Sequence, residues 1–392
     1  IPPSPVAKID RAEFTELDQA KFDEWRRDAA RLHTLENDRV KKNFQVIRLM
    51  RSAEQYKDYE TFWYVYQADF RGRFYAATAG FSPQGPDMGK ALIEYAGGKP
   101  HGDRGAYWMK VHLANLLGFD KEENDDRATY TDNLRSDILS VADDPLGTCR
   151  ALWVNTDKPF CTLAAVFEMA DIYNLGASVA INRIAIARDG SCNGLQHYAA
   201  ILRDRDGAEA TNVTYTGGVA DIYSKVGVVA GDRVHDAWLE HIGTGGLARK
   251  LAKKPVMTLP YGSTQRSCTD SILDYLAELD IDLFPKGTRM KSSMYLTTPL
   301  WAGIGDVVTS ARAAMDWLQN VASTMAKKGE PLIWYTPTGF PVYQATNKIK
   351  TRRVRTHLGG DLQMVIGDFT DELDPRKQSS GAAPNFVHSM DA

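Results

Sequence analysis

Asp189 is the residue whose sequence surroundings point most directly to chemistry. It follows the stretch 178–187, whose small and β-branched residues predict a buried strand, and it precedes Gly190 and several small polar residues. An acid at the end of a core strand, beside a glycine that gives the backbone room for a close approach, is a good place to hold a metal ion. The alternative is that Asp189 caps the helix that begins near Leu195. The stretch alone leaves both interpretations open.

A pair of cations further along the chain could bind phosphate. Arg249 and Lys253 are four residues apart, so a helix would present both on one face. An arginine fork and a lysine point charge together can grip a triphosphate. Tyr261 would extend this face by two turns, although Pro255 and Pro260 should each kink or end an ideal helix. The alternative for the pair is a solvated helix face.

An aromatic, β-rich segment carries two more arginines. In the stretch DFRGRFY, alternation along a strand would place Asp69, Arg71 and Arg73 on one face and the phenylalanines on the other. Arginines beside aromatic rings suit a strand that contacts phosphates and stacks a base. The alternative is a surface salt bridge of Asp69 with either arginine.

A strongly basic ribbon lies near the end of the chain. Its cations precede Gly359-Gly360 and an alternating apolar stretch, 362–366, which predicts a β-hairpin that turns at the glycines. The basic residues of its first strand are Lys348, Lys350, Arg352, Arg353, Arg355 and His357. A two-stranded ribbon fits the major groove of DNA, where arginine can read guanine. The alternative is an edge strand that is charged to prevent aggregation.

Length and composition set the broad class. A chain of 392 residues with 43% hydrophobic and 25% charged residues should form two or three globular subdomains. The net charge of −3 provides no bulk signal for nucleic acid, so any such surface must come from clustered cations. Four scattered cysteines without a CxxC pair argue against disulfides and zinc and fit a reducing cytoplasm. No signal peptide or membrane-spanning run is visible.

Four motifs in order resemble the single-subunit RNA polymerases of bacteriophages and mitochondria, and the phage branch looks closer. They are DFRGRFY at 69–75, DGSCNGLQH at 189–197, RKLAKKPVMTLPYGS at 249–263 and APNFVHSMD at 383–391. The resemblance implies a nucleotidyltransferase, a DNA-directed RNA polymerase that is monomeric at full length and works in the cytoplasm of a bacterial host. Since the chain starts in a Pro-rich stretch and ends directly after the last motif, we expect it to be truncated at both ends.

The resemblance also implies a helix-rich α/β (α+β) fold, a right-handed polymerase palm and fingers with a thumb remnant and without the C-terminal palm strands. The expected segments are a linker and thumb remnant at 1–60, the first part of the palm at 61–98, a palm insertion at 99–177, the palm with Asp189 at 178–205, and fingers at 206–392 that include a promoter-reading hairpin at about 341–368.

Site roles follow from the same resemblance. Asp189 corresponds to the first of two catalytic carboxylates that hold two Mg²⁺ ions, and Gly190 supplies a backbone carbonyl nearby. The nucleotide-binding residues implied are Arg249, Lys253, Lys110, Tyr261 and His388, of which Lys253, Tyr261 and His388 join Asp189 in catalysis. Tyr261 and His388 would favour a ribonucleotide, because a polar group placed for a hydroxyl discriminates against a substrate without it.

The implied partners are ribonucleoside triphosphates, the template strand, nascent RNA and double-stranded promoter DNA. Residues expected beside the template and hybrid are Asp69, Arg71, Arg73 and Tyr75. Arg352, Arg353 and Arg355 are the candidates for reading promoter bases.

The family places its second metal-binding aspartate in a strand well after the APNFVH helix, and this chain ends before it. We therefore expect the 392 residues alone to be inactive. Two other hypotheses remain. One is a related DNA polymerase with the same Arg-x3-Lys-x7-Tyr-Gly spacing, against which DGSCNGLQH and His388 argue. The other is a non-catalytic DNA-binding subunit of a split polymerase that uses only the basic hairpin.

Overall fold

The computed structural model describes residues 15–78, 80–242, 247–279, 289–356 and 362–391. They form two compact units. The first unit comprises the described residues of 1–66, 76–120 and 124–187, and the second those of 67–75, 121–123 and 188–392. The helix-rich α/β character expected from the sequence is confirmed. The division into palm, insertion and fingers remains a prediction. No helix in the described ranges combines the length and the apolarity that crossing a membrane requires.

The first unit is built mainly of helices. They are α1 (Glu16–Tyr56), α2 (Asp87–Ala91), α3 (Gly102–Leu116), α4 (Asn124–Asn133), α5 (Arg135–Asp143), α6 (Ala151–Val154) and α7 (Pro159–Leu175). The core lies between α3, α5 and α7, where Met109, Ile138 and Met169 are fully buried. Helix α7 begins with Pro159, whose missing N–H costs nothing in a first turn, and ends at Gly176 with a φ of +85°, a conformation that favours glycine.

The segment that leads to Asp189 differs from its prediction. The buried strand expected over 178–187 is wrong. Only β4 (Ile181–Asn182) forms, antiparallel to β3 (Lys99–Pro100), and within 178–187 only Ala180 is buried. A strand can extend only as far as a partner backbone accompanies it. Here β3 is two residues long, and the Arg183 guanidinium donates to the Ala96 carbonyl at 3.0 Å.

His112 of α3 lies buried at the end of this segment and hydrogen-bonds to the backbone of Ala187. Burial lowers the pKa of His112 to about 4, and the charge of Lys158 adds to this, whereas the hydrogen bond to Ala187 works in the opposite direction. The imidazole is therefore neutral at pH 7 and ties α3 to the residues just before Asp189.

The stability of the chain should depend on this histidine in acid. The folded-state pKa lies below the ordinary value of 6.5, so as the pH falls the unfolded state takes up the proton first. Above pH 6.5 the neutral His112 contributes about 3 kcal/mol to the free energy of unfolding, and this contribution is lost as the pH falls towards 4. Urea unfolding at several pH values should show that the free energy of unfolding falls less in acid for His112→Gln than for the parent. His33→Gln, at an exposed position of α1, is the control and should follow the parent. Equal pH slopes for the parent and His112→Gln would contradict this assignment.

The second unit holds the remaining elements. Its helices are α8 (Asn193–Leu202), α9 (Arg205–Ala210), α10 (Ile222–Gly231), α11 (Asp236–Ile242), α12 (Arg249–Thr258), α13 (Gln265–Glu278), α14 (Arg289–Val307), α15 (Thr309–Lys327) and α16 (Pro375–Ser389), with a 3₁₀ turn at Leu259–Tyr261. The hairpin of β1 (Tyr66–Ala68) and β2 (Phe74–Ala76) contributes the turn between its strands. The core lies between α8, α10 and α12 to α16, where Leu251, Ile272, Leu296 and Leu300 are fully buried.

Two antiparallel ribbons lie between α15 and α16. β5 (Leu332–Tyr335) pairs with β6 (Pro341–Gln344), and β7 (Asn347–Thr356) pairs with β8 (Leu362–Leu373). The predicted basic hairpin is thus confirmed, but its expected extent of 341–368 is wrong, because 341–344 bonds to β5 and the hairpin spans 347–373. His357, Gly359 and Gly360 lie outside the described residues.

Candidate functional site

Asp189 lies in an exposed turn before α8. Its Oδ1 accepts a hydrogen bond from the Gly190 N–H at 2.9 Å, and within the described ranges no other hydrogen bond or ion pair engages the carboxylate. The alternative that Asp189 caps the next helix is wrong, because the N-cap residue of α8 is Cys192, with no side-chain cap bond. The carboxylate is therefore available to a ligand.

The turn around Asp189 is held by the side chains packed against it. A Cβ on Gly190 would lie 2.5 Å from Gln196 Oε1, so a larger residue there would displace the end of the Gln196 side chain. The Tyr223 hydroxyl donates to the Ser191 carbonyl, and the Asn212 amide to the Ser191 hydroxyl, both at 2.7 Å. These contacts fix the backbone that carries Asp189.

Gly194 lets α8 approach the 3₁₀ turn. A Cβ at this position would lie 2.6 Å from Pro260 Cβ and 3.4 Å from Val387 Cγ1 of α16. The close contact sets where Tyr261, which follows Pro260, stands relative to α8.

Gly194→Ala should therefore destabilise the chain, although alanine is the better helix former. Overpacking of a tight contact typically costs about 1–3 kcal/mol, which should lower the melting temperature by several degrees. Gly218→Ala is the matched control, because nothing lies within 4 Å of a Cβ there. A melting temperature for Gly194→Ala equal to that of the control would contradict the contact.

Helix α12 confirms the prediction of a helical cation pair. Arg249 is its first residue, and Lys253 follows one turn later and is exposed. The sequence predicted that Pro255 would kink or end the helix. The helix does not end there, because α12 continues to Thr258, whose hydroxyl donates to the Lys254 carbonyl at 2.8 Å. Tyr261 lies in the 3₁₀ turn beyond the end of α12, so the helix face of Lys253 does not extend to it, in agreement with the interruption expected from Pro260.

Tyr261 and His388 form the next part of the site. The Tyr261 hydroxyl donates to Asn193 Oδ1 at 2.6 Å, and its ring centroid lies 4.9 Å from that of His388. Burial raises the pKa of Tyr261, which keeps its phenol protonated as a donor. Burial lowers the pKa of His388, and the charges of Arg71 and Arg73 lower it further. The neutral imidazole contacts Arg71 Nη1 through Nδ1 at 2.5 Å, and accepts from it.

The motif at 69–75 forms a turn between β1 and β2, so the alternating face predicted for a strand is wrong. The Gly72 N–H donates to the Asp69 carbonyl at 3.0 Å, and Gly72 has a φ of +88°. Asp69 bonds the Arg71 guanidinium at 2.7 Å, which confirms the salt-bridge alternative, and Arg71 Nη2 reaches the Tyr75 hydroxyl at 3.4 Å. Burial would raise the pKa of Asp69, but hydrogen bonds from Arg71 and the Arg73 backbone outweigh it and lower the pKa. Sequence analysis could have found the turn, since Asp at its first position and Gly at its fourth are typical of one.

Asp391 is a site residue that sequence reasoning missed. Its Oδ1 accepts from His197 Nε2 at 2.7 Å and from Asn193 Nδ2 at 3.3 Å, and its Oδ2 pairs with Arg73 at 3.2 Å. It thereby joins the end of α16 to α8 and to the 69–75 turn. Asp221 and Tyr223, which contact Arg249, were also missed as partners of that arginine.

The remaining predicted site residues are not part of this cluster of contacts. Lys110 belongs to the first unit, where its Nζ lies 2.7 Å from Asp132 Oδ2. Arg352, Arg353 and Arg355 lie on β7 and are exposed, and Arg352 has Asp368 across the ribbon at 3.8 Å. Their predicted contacts with phosphate and promoter bases stay predictions.

The donors at Asp189 fit Mg²⁺ in kind. A carboxylate and the Gly190 carbonyl are oxygen ligands, which this ion prefers. No group of three or more histidine, cysteine or acidic residues in the described ranges could hold a metal by itself. A metal ion at Asp189 would therefore complete its coordination with water and with ligand oxygens, as Mg²⁺ does with nucleotide phosphates.

Comparison with known proteins identifies the family. The model of the DNA-dependent RNA polymerase family matches residues 99–392. The chain is 33% identical to the DNA-directed RNA polymerase of Enterobacteria phage T3, over 99% of this chain and 50% of that protein. It is 34% identical to that of Pseudomonas phage phiKMV, over 96% and 48% respectively, and 34% identical to the mitochondrial DNA-directed RNA polymerase of Mus musculus, over 87% and 29%.

This chain belongs to the DNA-dependent RNA polymerase family. It spans about half the length of the curated phage relatives it matches. The sequence identities to the phage and the mitochondrial relatives are nearly equal, so they do not distinguish between the two branches of the family.

Proposed function

We propose that this chain is a catalytic core segment of a DNA-directed RNA polymerase that adds ribonucleotides on a DNA template. The observation that carries the proposal is the hydrogen-bonded arrangement within the second unit. It places Asp189 on a fixed turn, ties that turn through Tyr223 to Arg249, and faces Tyr261 with His388.

Each group has a role that its chemistry supports. Asp189 and the Gly190 carbonyl would hold Mg²⁺, which supplies charge neutralisation for the attacking hydroxyl and the leaving pyrophosphate when bound. Arg249 and Lys253 would bind the triphosphate. The protonated Tyr261 and neutral His388 present polar groups that could recognise a ribose hydroxyl. A second Mg²⁺ ion belongs to the same proposal, as does a phosphate contact by Lys110, which pairs with Asp132.

The nucleic-acid partners would meet other surfaces. Arg71, Arg73 and Tyr75 would lie beside the template and the RNA–DNA hybrid, with Asp69 holding Arg71 in place. The exposed arginines of β7, Arg352, Arg353 and Arg355, would read promoter DNA in the major groove. In the phage branch, transcription would take place in the cytoplasm of a bacterial host.

The same contacts argue against the two other functions. A DNA polymerase with the same Arg-x3-Lys-x7-Tyr-Gly spacing would share Tyr261 but would not need His388 beside it at a ribose hydroxyl. A DNA-binding subunit without catalysis would not need the fixed turn at Asp189 or the cations of α12.

The test is primer extension by a chimera in which this chain replaces the matched segment of a curated phage relative. With Mg²⁺, a primed template and ribonucleoside triphosphates, the chimera should make RNA, and deoxynucleoside triphosphates should be poor substrates. Preference for deoxynucleotides would favour the DNA polymerase. Intact DNA binding with no synthesis from either substrate would favour the non-catalytic subunit.

A further inference from the structure

Asp221 uses its two carboxylate oxygens for two different tasks. Oδ1 accepts hydrogen bonds from the backbone N–H groups of Tyr223 at 3.0 Å and Ser224 at 3.4 Å, and so caps α10. Oδ2 accepts a hydrogen bond from Arg249 Nε at the start of α12, and the Ser224 hydroxyl donates to the same oxygen at 3.0 Å. One oxygen therefore serves the helix, and the other holds the cation.

Arg249 is held on a second side by an aromatic ring. Its guanidinium carbon lies 5.2 Å from the centroid of the Tyr223 ring, within the range of a cation–π contact. The ion pair occupies Nε, and within the described ranges no hydrogen-bond partner engages its two terminal nitrogens. With 32% of the side chain exposed, Arg249 is fixed at one edge while the terminal pair, which binds phosphate best, stays free.

The start of α10 also reaches the turn of Asp189. The Tyr223 hydroxyl donates to the Ser191 carbonyl at 2.7 Å, and burial raises the pKa of Tyr223, so this donor persists at neutral pH. Ser191 stands two residues after Asp189. The first turn of α10 therefore connects the carboxylate proposed to hold metal with the arginine proposed to hold triphosphate.

We propose that Asp221 is a positioning residue that holds Arg249 in the orientation in which it receives the triphosphate. This inference rests on the proposed function. An arginine that is already ordered needs no further ordering when its ligand binds, and its charge then lies where the reacting phosphate needs it. The negative charge of Asp221 also opposes the triphosphate, so losing it should weaken orientation while strengthening attraction. The effect should therefore appear in kcat rather than in KM.

Asp221→Asn separates positioning from capping. Asparagine caps helices as well as aspartate does, and its Oδ1 can keep the bonds to Tyr223 and Ser224. Its Nδ2 would then stand where Oδ2 accepts from Arg249, and two donors cannot bond each other. Asp204→Asn is the matched control, because Asp204 caps α9 through the Gly207 N–H at 3.2 Å.

Steady-state kinetics of the chimera should show a fall in kcat of about tenfold for Asp221→Asn, with a change in KM for the triphosphate of threefold or less. In an Arg249→Ala background, Asp221→Asn should have almost no further effect, because Asp221 acts through that arginine. Asp204→Asn should behave as the parent does.

Three results would overturn the inference while leaving the proposed function intact. The first is an unchanged kcat with a lower KM for Asp221→Asn. The second is a fall in kcat for Asp221→Asn that is as large in the Arg249→Ala background as in the parent. The third is a fall in kcat for Asp204→Asn as large as that for Asp221→Asn. A parent chimera that makes no RNA would remove the proposed function, and the inference with it.

Discussion

Asp189→Asn should reduce RNA synthesis by the chimera by about a thousandfold. Asparagine keeps the size of the side chain but removes the charge that would attract Mg²⁺. Stabilisation by a metal ion amounts to several kcal/mol, and about 1.36 kcal/mol corresponds to each tenfold change in rate. The measurement is single-turnover extension of a labelled primer at saturating ribonucleotide.

The control for this variant is Asp206→Asn, at an exposed position of α9 in the same unit. It should extend primer at the parental rate. Because the only hydrogen bond of the Asp189 side chain in the described ranges joins it to Gly190, Asp189→Asn should also melt within about 2 °C of the parent. A variant that folds normally and keeps more than a tenth of the parental rate would contradict the role of Asp189.

Lys253→Gln should raise the KM for ribonucleoside triphosphates by about 10- to 100-fold. A hydrogen bond to a charged group contributes about 1.5–3 kcal/mol, which corresponds to that range of affinity. Lys253 is exposed on α12, one turn after Arg249, so its ammonium group is accessible to a phosphate.

The adjacent lysine provides a matched control. Lys254 is also exposed on α12, but it points to another face and pairs with Asp274 at 3.1 Å. Lys254→Gln should leave KM within about twofold of the parent, since an exposed ion pair contributes little. Equal increases in KM for the two variants would mean that α12 attracts the triphosphate by its overall charge and not through Lys253.

Features that depend on residues close in sequence could be predicted. The helical spacing of Arg249 and Lys253 is local, and so is the alternation that gives the basic ribbon of β7 and β8. The motifs added what spacing alone could not, because Tyr261 and His388 are far apart in sequence and only the family resemblance joined them before the structure did.

Features that depend on distant partners were missed or wrong. Nothing near residues 178–187 in the sequence shows that β3 offers only two residues for pairing, so the predicted strand was too long. Asp391 and Asp221 carry no local sign that they bond His197 and Arg249, which lie 194 and 28 residues away. The turn at 69–73 is different, because its Asp-x-x-Gly pattern was visible and was outweighed by the aromatic residues around it.

The contacts of α10 explain why the candidate site is arranged around helix ends. The first turns of α8, α10 and α12 carry Asn193, Tyr223 and Arg249, and Tyr223 contacts both Arg249 and the Ser191 carbonyl of the Asp189 turn. Unpaired N–H groups at helix N-termini also favour anions, which adds to the cationic side chains at α12. A substitution that shifts α10 should therefore affect both the metal-binding and the phosphate-binding residues.

The most direct test of the central claim is X-ray diffraction from crystals of the chain grown with Mn²⁺ and a non-hydrolysable ribonucleoside triphosphate. We expect an anomalous manganese peak at the Asp189 carboxylate, triphosphate oxygens bonded to Arg249 and Lys253, and the ribose beside Tyr261 and His388. A triphosphate bound in the crystal without contacting Asp189, Arg249 or Lys253 would contradict it.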